Sequence, residues 1–111
     1  MIQVIGTKKC KDTQKVIRYL KERRIDFQFI DLQVKGLSPG ELKKISQKIP
    51  IETLMDTCSK EYERLNLKYM RHEPFDQLIE HPLLLKTPVI REQNTAFLGY
   101  DPDKINELLN K

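Results

Sequence analysis

The chain has 111 residues, with 20 Lys and Arg against 16 Asp and Glu, and 39% of it is hydrophobic. That length suits one domain with a core of its own, and the balance of apolar and charged residues excludes wholesale disorder. No apolar run approaches the ~20 residues of a membrane-spanning helix, and the apolar stretch of MIQVIGTKKC is too short for a signal peptide. The net charge of +4 is a mild bias towards anionic partners. Basic residues stand beside acids, as in Lys21-Glu22-Arg23-Arg24, and there is no Trp, so direct nucleic-acid binding is not expected. Two cysteines do not make a disulfide scaffold; a reduced cytoplasmic location without membrane association is expected.

Residues 2–5 (Ile-Gln-Val-Ile) predict a β-branched strand ended by Gly6. From Lys11 to about Arg24, Val16, Ile17 and Leu20 mark one face of a helix, and residues 27–32 return to strand. Joined by a crossover, the two strands should be parallel neighbours. Ser38-Pro39-Gly40-Glu41 is a capping box opening a helix with Leu42, Ile45 and Ile49, stopped by Pro50. Residues 51–57 predict a short helix or turn. Ser59 caps a helix whose Tyr62, Leu65 and Leu67 face inward, and Pro74 starts another with Phe75, Leu78 and Ile79. Strand returns at Pro88-Val89-Ile90, turns at Glu92-Gln93-Asn94 and continues through Thr95–Leu98 as a hairpin. Asp101-Pro102 opens a last helix bearing Ile105, Leu108 and Leu109. The order predicts a single α/β domain over residues 1–111, a mixed four-stranded sheet flanked by helices, with a helical insert at about 37–82.

Cys10 is the most informative position. It lies between the first strand and the first turn of a helix, where unpaired N–H groups and the helix dipole favour an anion. A thiol placed there loses its proton readily and becomes a nucleophile. Lys8, Lys9 and Lys11 add positive potential, Asp12 opposes it, and Thr13 stands three residues on, within reach of the sulfur. The alternative is a buried, inert cysteine, which Lys-Lys-Cys-Lys makes awkward. His72 and His81 are the only histidines; with no further ligands at recognisable spacing no metal site is expected. His81 suits a helix end.

Three stretches resemble the arsenate reductase and Spx (ArsC-like) family of the thioredoxin-fold superfamily. Thr7–Lys15 around Cys10 is similar to the family's Cys-x-x-(Cys/Ser/Thr) segment. Leu54-Met55-Asp56-Thr57 with Lys60, Tyr62 and Leu65-Asn66-Leu67 is the second, and His81-Pro82-Leu83-Leu84-Leu85-Lys86-Thr87-Pro88-Val89-Ile90 the third. Gly99-Tyr100-Asp101 follows near the end.

The resemblance implies a thioredoxin-like (glutaredoxin-like) fold in which a cis Thr87–Pro88 turn faces Cys10. It implies a cytosolic thiol oxidoreductase using Cys10, with Lys9, Lys11, Thr13, Thr87 and Pro88 around it. No bound cofactor is implied; glutathione is the co-substrate, and the partner is glutathione or a glutaredoxin-type thiol. Relatives that reduce arsenate hold the oxyanion with three arginines. At the matching positions stand Asp56, Thr87 and Phe97, which cannot form a bidentate cationic clamp. Arg91 and Lys86 are the nearby cations. Spx-type regulators carry Cys-x-x-Cys and bind RNA polymerase; Thr13 occupies the second position here, so that dithiol is absent. Cys58 lies in a loop that faces the active site in relatives and is either a second, resolving thiol or an incidental loop cysteine. Two other readings follow: an Spx-like regulator binding RNA polymerase, and an inactive family member.

Overall fold

The computed structural model describes residues 1–110. It divides into two compact units, one of Met1–Asp31 with Thr87 onward, the other of Leu32–Lys86.

The first unit holds a four-stranded sheet in the order β2-β1-β3-β4, with β1 Ile2–Gly6, β2 Phe27–Asp31, β3 Val89–Glu92 and β4 Thr95–Leu98. β1 and β2 are parallel, with Ile2 opposite Phe27 and Gly6 opposite Asp31. β3 runs antiparallel to β1, with Val4 opposite Ile90, and β4 antiparallel to β3, with Ile90 opposite Phe97. The register aligns Phe29, Val4, Ile90 and Phe97 in one row across the sheet. Because side chains alternate along a strand, that row shares one face. Two helices cover it, α1 (Lys11–Glu22) and the last helix, α6 (Pro102–Leu109). Val16, Tyr19 and Leu20 of α1 and Ile105 and Leu108 of α6 share a core cluster with the row. Leu109, expected inward, is 37% exposed. Asp101 caps α6 by accepting from the Lys104 N–H at 3.2 Å, and the Tyr19 hydroxyl donates to Asn106 Oδ1 at 2.7 Å, joining α1 to α6.

The second unit is built from short helices: α2 Pro39–Ser46, α3 Ile51–Leu54, α4 Lys60–Arg64 and α5 Pro74–Glu80. Leu42, Ile45, Leu54, Leu67, Leu78 and Leu84 are buried. The capping box is complete, with Ser38 Oγ accepting from the Glu41 N–H and Glu41 from the Ser38 N–H. Ser59 caps α4, accepting from the Tyr62 N–H at 3.1 Å. His81 ends α5. α2 stops at Ser46, so Ile49 is buried from the turn beyond it. Tyr62 and Leu65 are only half-buried, leaving Leu67 as the inward anchor. Met55 bridges Leu85, the Asp56 N–H donates to Leu84 O at 2.8 Å, and the Lys86 N–H donates to Leu54 O at 2.7 Å. Among the described residues no helix is long and apolar enough to cross a membrane.

Candidate active site around Cys10

β1 is interior to the sheet, between β2 and β3. The chain therefore leaves its end within the body of the sheet and not at an open sheet edge. Thr7 to Cys10 form a turn closed by the Cys10 N–H donating to Thr7 O at 3.2 Å. Cys10 is the N-cap of α1, with extended backbone at φ −76° and ψ 120°. The Gln14 N–H donates to Cys10 O at 3.0 Å, and Gln14 Nε2 donates to Lys8 O, tying the turn to the helix. The first N–H groups of α1 lack helical acceptors and remain available to the sulfur.

The Cys10 thiol is half-buried and its Sγ donates to Thr87 O at 3.7 Å. Thr87–Pro88 is a cis peptide and directly precedes β3, which pairs with β1; strand pairing thus brings a residue 77 positions away to the sulfur. Thr13, in the first turn of α1, is completely buried, and its Oγ1 has no hydrogen-bond partner.

Burial pushes the Cys10 thiol up, but the donors around it more than offset this and hold it below its ordinary value. They are the hydroxyls of Thr13 and Thr87 and the backbone N–H groups of Thr13 and Asp12. The thiol proton is directed at Thr87 O, and the Thr13 hydroxyl acts on the sulfur by favouring its thiolate form. The named causes are burial and these uncharged donors. Sequence reasoning placed that role on Lys8, Lys9 and Lys11, yet all three are exposed, where water screens them. Lys15 pairs with Asp12 at 3.8 Å.

The first unit therefore gathers Cys10, Thr13, Thr87 and Pro88, with Lys9 and Lys11 at the exposed rim. The first of the three positions matched to arginines, Asp56, belongs to the second unit, where its Oδ1 accepts from the Cys58 N–H at 3.0 Å. Thr87 lies at the sulfur. Phe97 packs in the core cluster. Arg91 lies opposite Gln3, while Cys10 leaves from the Gly6 end of β1. Cys58 is exposed on the wall of a hollow of about 470 Å³ lined also by Tyr62, Asn66, Lys68 and Tyr69. Sequence reasoning did not foresee this hollow, nor the part of Gln14; the only cue to Gln14 was its place one turn after the cysteine. Among the described residues no group of His, Cys, Asp or Glu is arranged to hold a metal.

Residues 5–108 match the ArsC family. The global transcriptional regulator Spx of Lactiplantibacillus plantarum is 28% identical over 114 aligned positions, covering 98% of this chain and 86% of that protein. Among solved structures, an arsenate reductase from Vibrio cholerae superposes with a TM-score of 0.81 at 23% identity, covering 96% of each chain. A glutaredoxin from Archaeoglobus fulgidus superposes with a TM-score of 0.51 at 16% identity, over 99% of this chain and 86% of that one. At those identities the structural matches speak for the fold: a mixed four-stranded sheet with flanking helices of the thioredoxin and glutaredoxin type.

Proposed function

This chain belongs to the ArsC family, and from that premise we propose that it is a cytoplasmic thiol oxidoreductase working through Cys10 alone. The Cys10 thiolate attacks one sulfur of a disulfide such as oxidised glutathione; a Cys10–glutathione disulfide forms and a glutathione thiolate leaves. A second thiol, from glutathione or a glutaredoxin-type partner, then attacks the mixed disulfide and returns Cys10 as thiolate. Thr13 carries no sulfur, so resolution comes from outside the Cys10 segment. Glutathione acts as co-substrate, without a bound cofactor. The observation that carries this reading is the set of uncharged donors converging on Cys10 Sγ, which hold the thiol below its ordinary value.

Arsenate is at best a poor substrate in this reading. Thr87 is neutral and Asp56 is an anion, and neither supplies the charged fork that binds an oxyanion. A turnover screen with reduced glutathione, offering arsenate and small disulfides side by side, tests the proposal: disulfide exchange is expected. Arsenate reduction at the ~1–1000 per second usual for enzymes would overturn it.

A second reading is supported by the coverage of Spx relatives, 98% of this chain: a regulator that binds RNA polymerase. Retention of RNA polymerase on the immobilised protein, combined with no disulfide exchange by Cys10, would put this reading first.

A further inference from the structure

We propose that Gly6 is a positioning residue for the Cys10 site: its missing side chain leaves the space in which the Thr13 hydroxyl rests beside the sulfur. Gly6 is the buried last residue of β1. A Cβ added there would collide with Thr13 Oγ1, come within 2.9 Å of Thr13 Cγ2 and lie 3.2 Å from Thr13 Cβ. Turning the Thr13 side chain relieves the first two contacts but not the third, since Cβ is fixed to the backbone of α1. An alanine at position 6 therefore either turns the hydroxyl away from the sulfur or pushes the first turn of α1 off the strand. Both remove a donor from the thiolate.

A second observation points the same way. The Thr13 hydroxyl is fully buried and unpartnered, and a buried hydroxyl without a bond carries a free-energy cost. A thiolate at Cys10 would give it an acceptor. Gly6 is not needed here for backbone conformation, because it is an ordinary strand residue paired with Asp31; what the position requires is the absence of a side chain.

The inference rests on the oxidoreductase reading of Cys10, and its test separates the two. Alkylation of Cys10 by iodoacetamide is followed against pH by mass spectrometry in the unaltered protein, Gly6→Ala, Thr13→Ala and the double variant. Gly6→Ala should move the Cys10 midpoint upward and slow alkylation at pH 7 by about tenfold, the worth of one hydrogen bond to a charged group. In the Thr13→Ala background the same substitution should shift the midpoint far less, because the hydroxyl is already gone and only the 3.2 Å contact with the Cβ at position 13 remains. Should Gly6→Ala fail to fold, recovery of the fold in the double variant with the Thr13→Ala profile would equally show that Gly6 acts through Thr13. An unchanged profile in folded Gly6→Ala, or an equal shift in both backgrounds, would overturn the inference. Failure of the oxidoreductase reading looks different: the unaltered protein would form no mixed disulfide with oxidised glutathione, whatever the Gly6 variants do to alkylation.

Discussion

Cys10 and Cys58 are both free thiols in one small chain, and their surroundings differ in kind. Cys10 is half-buried, its Sγ facing Thr87 O and within the donor range of two hydroxyls and two backbone N–H groups. Cys58 is exposed on a turn ahead of α4, where its own N–H bonds Asp56 Oδ1. Access alone would make Cys58 the reactive one. Donors aimed at a sulfur favour its thiolate more than exposure does.

Removing each sulfur in turn should separate the two thiols most strongly. Cys10→Ser should abolish mixed-disulfide formation with oxidised glutathione at pH 7, and Cys58→Ser should leave it intact, as read by intact-protein mass spectrometry. Loss of exchange in folded Cys58→Ser would make Cys58 the resolving thiol and reverse the ranking. Thr13→Val keeps the buried shape and deletes the hydroxyl; alkylation of Cys10 at pH 7 should slow by about tenfold, and an unchanged rate would remove Thr13 from the donor set.

A third test uses stability. The folded-state pKa of Cys10 lies below its unfolded value, so the thiolate's contribution to the folded state is complete above about pH 8.5 and is lost as pH falls through the folded value. Urea unfolding of the unaltered protein and Cys10→Ser should therefore diverge in favour of the unaltered protein as pH rises from about 5 to about 9, through the unfolded value of about 8.5. A gap that closes with rising pH would contradict the sign. The smallest effect is expected from replacing Lys8, Lys9 and Lys11 together by Gln. Exposed charges contribute little, so the Cys10 rate should change by less than about twofold and respond weakly to salt. A steep salt dependence would return the lysines to the role that sequence alone suggests.

Much of the fold was legible along the chain because its signals are short-range. Ser38 to Glu41 spell a capping box, Asp101-Pro102 a helix start, and alternation at 2–5 and 27–32 a pair of strands; each is decided by residues within a turn of one another. Cys10 was legible for the same reason, since a strand end and a helix start fix where unpaired N–H groups lie. Long-range pairing decided the rest. The β1–β3 register brings Thr87 to Cys10 across 77 positions, and the β3–β4 pairing sets Phe97 beside Ile90 in the core cluster. The β1–β3 pairing also makes β1 an interior strand, which burial of the sulfur reflects.

The order of elements, their caps, the family resemblance and the place of Cys10 at a helix start all follow from neighbours along the chain. What surrounds Cys10 depends on packing between segments far apart in the chain. Thr13 turns out to be buried against Gly6, and uncharged hydroxyls and amides, not the adjacent lysines, hold the thiol below its ordinary value. The physical reason is distance and dielectric: long lysine side chains extend into water and are screened, whereas packing of a strand against a helix fixes short donors within hydrogen-bonding reach of the sulfur.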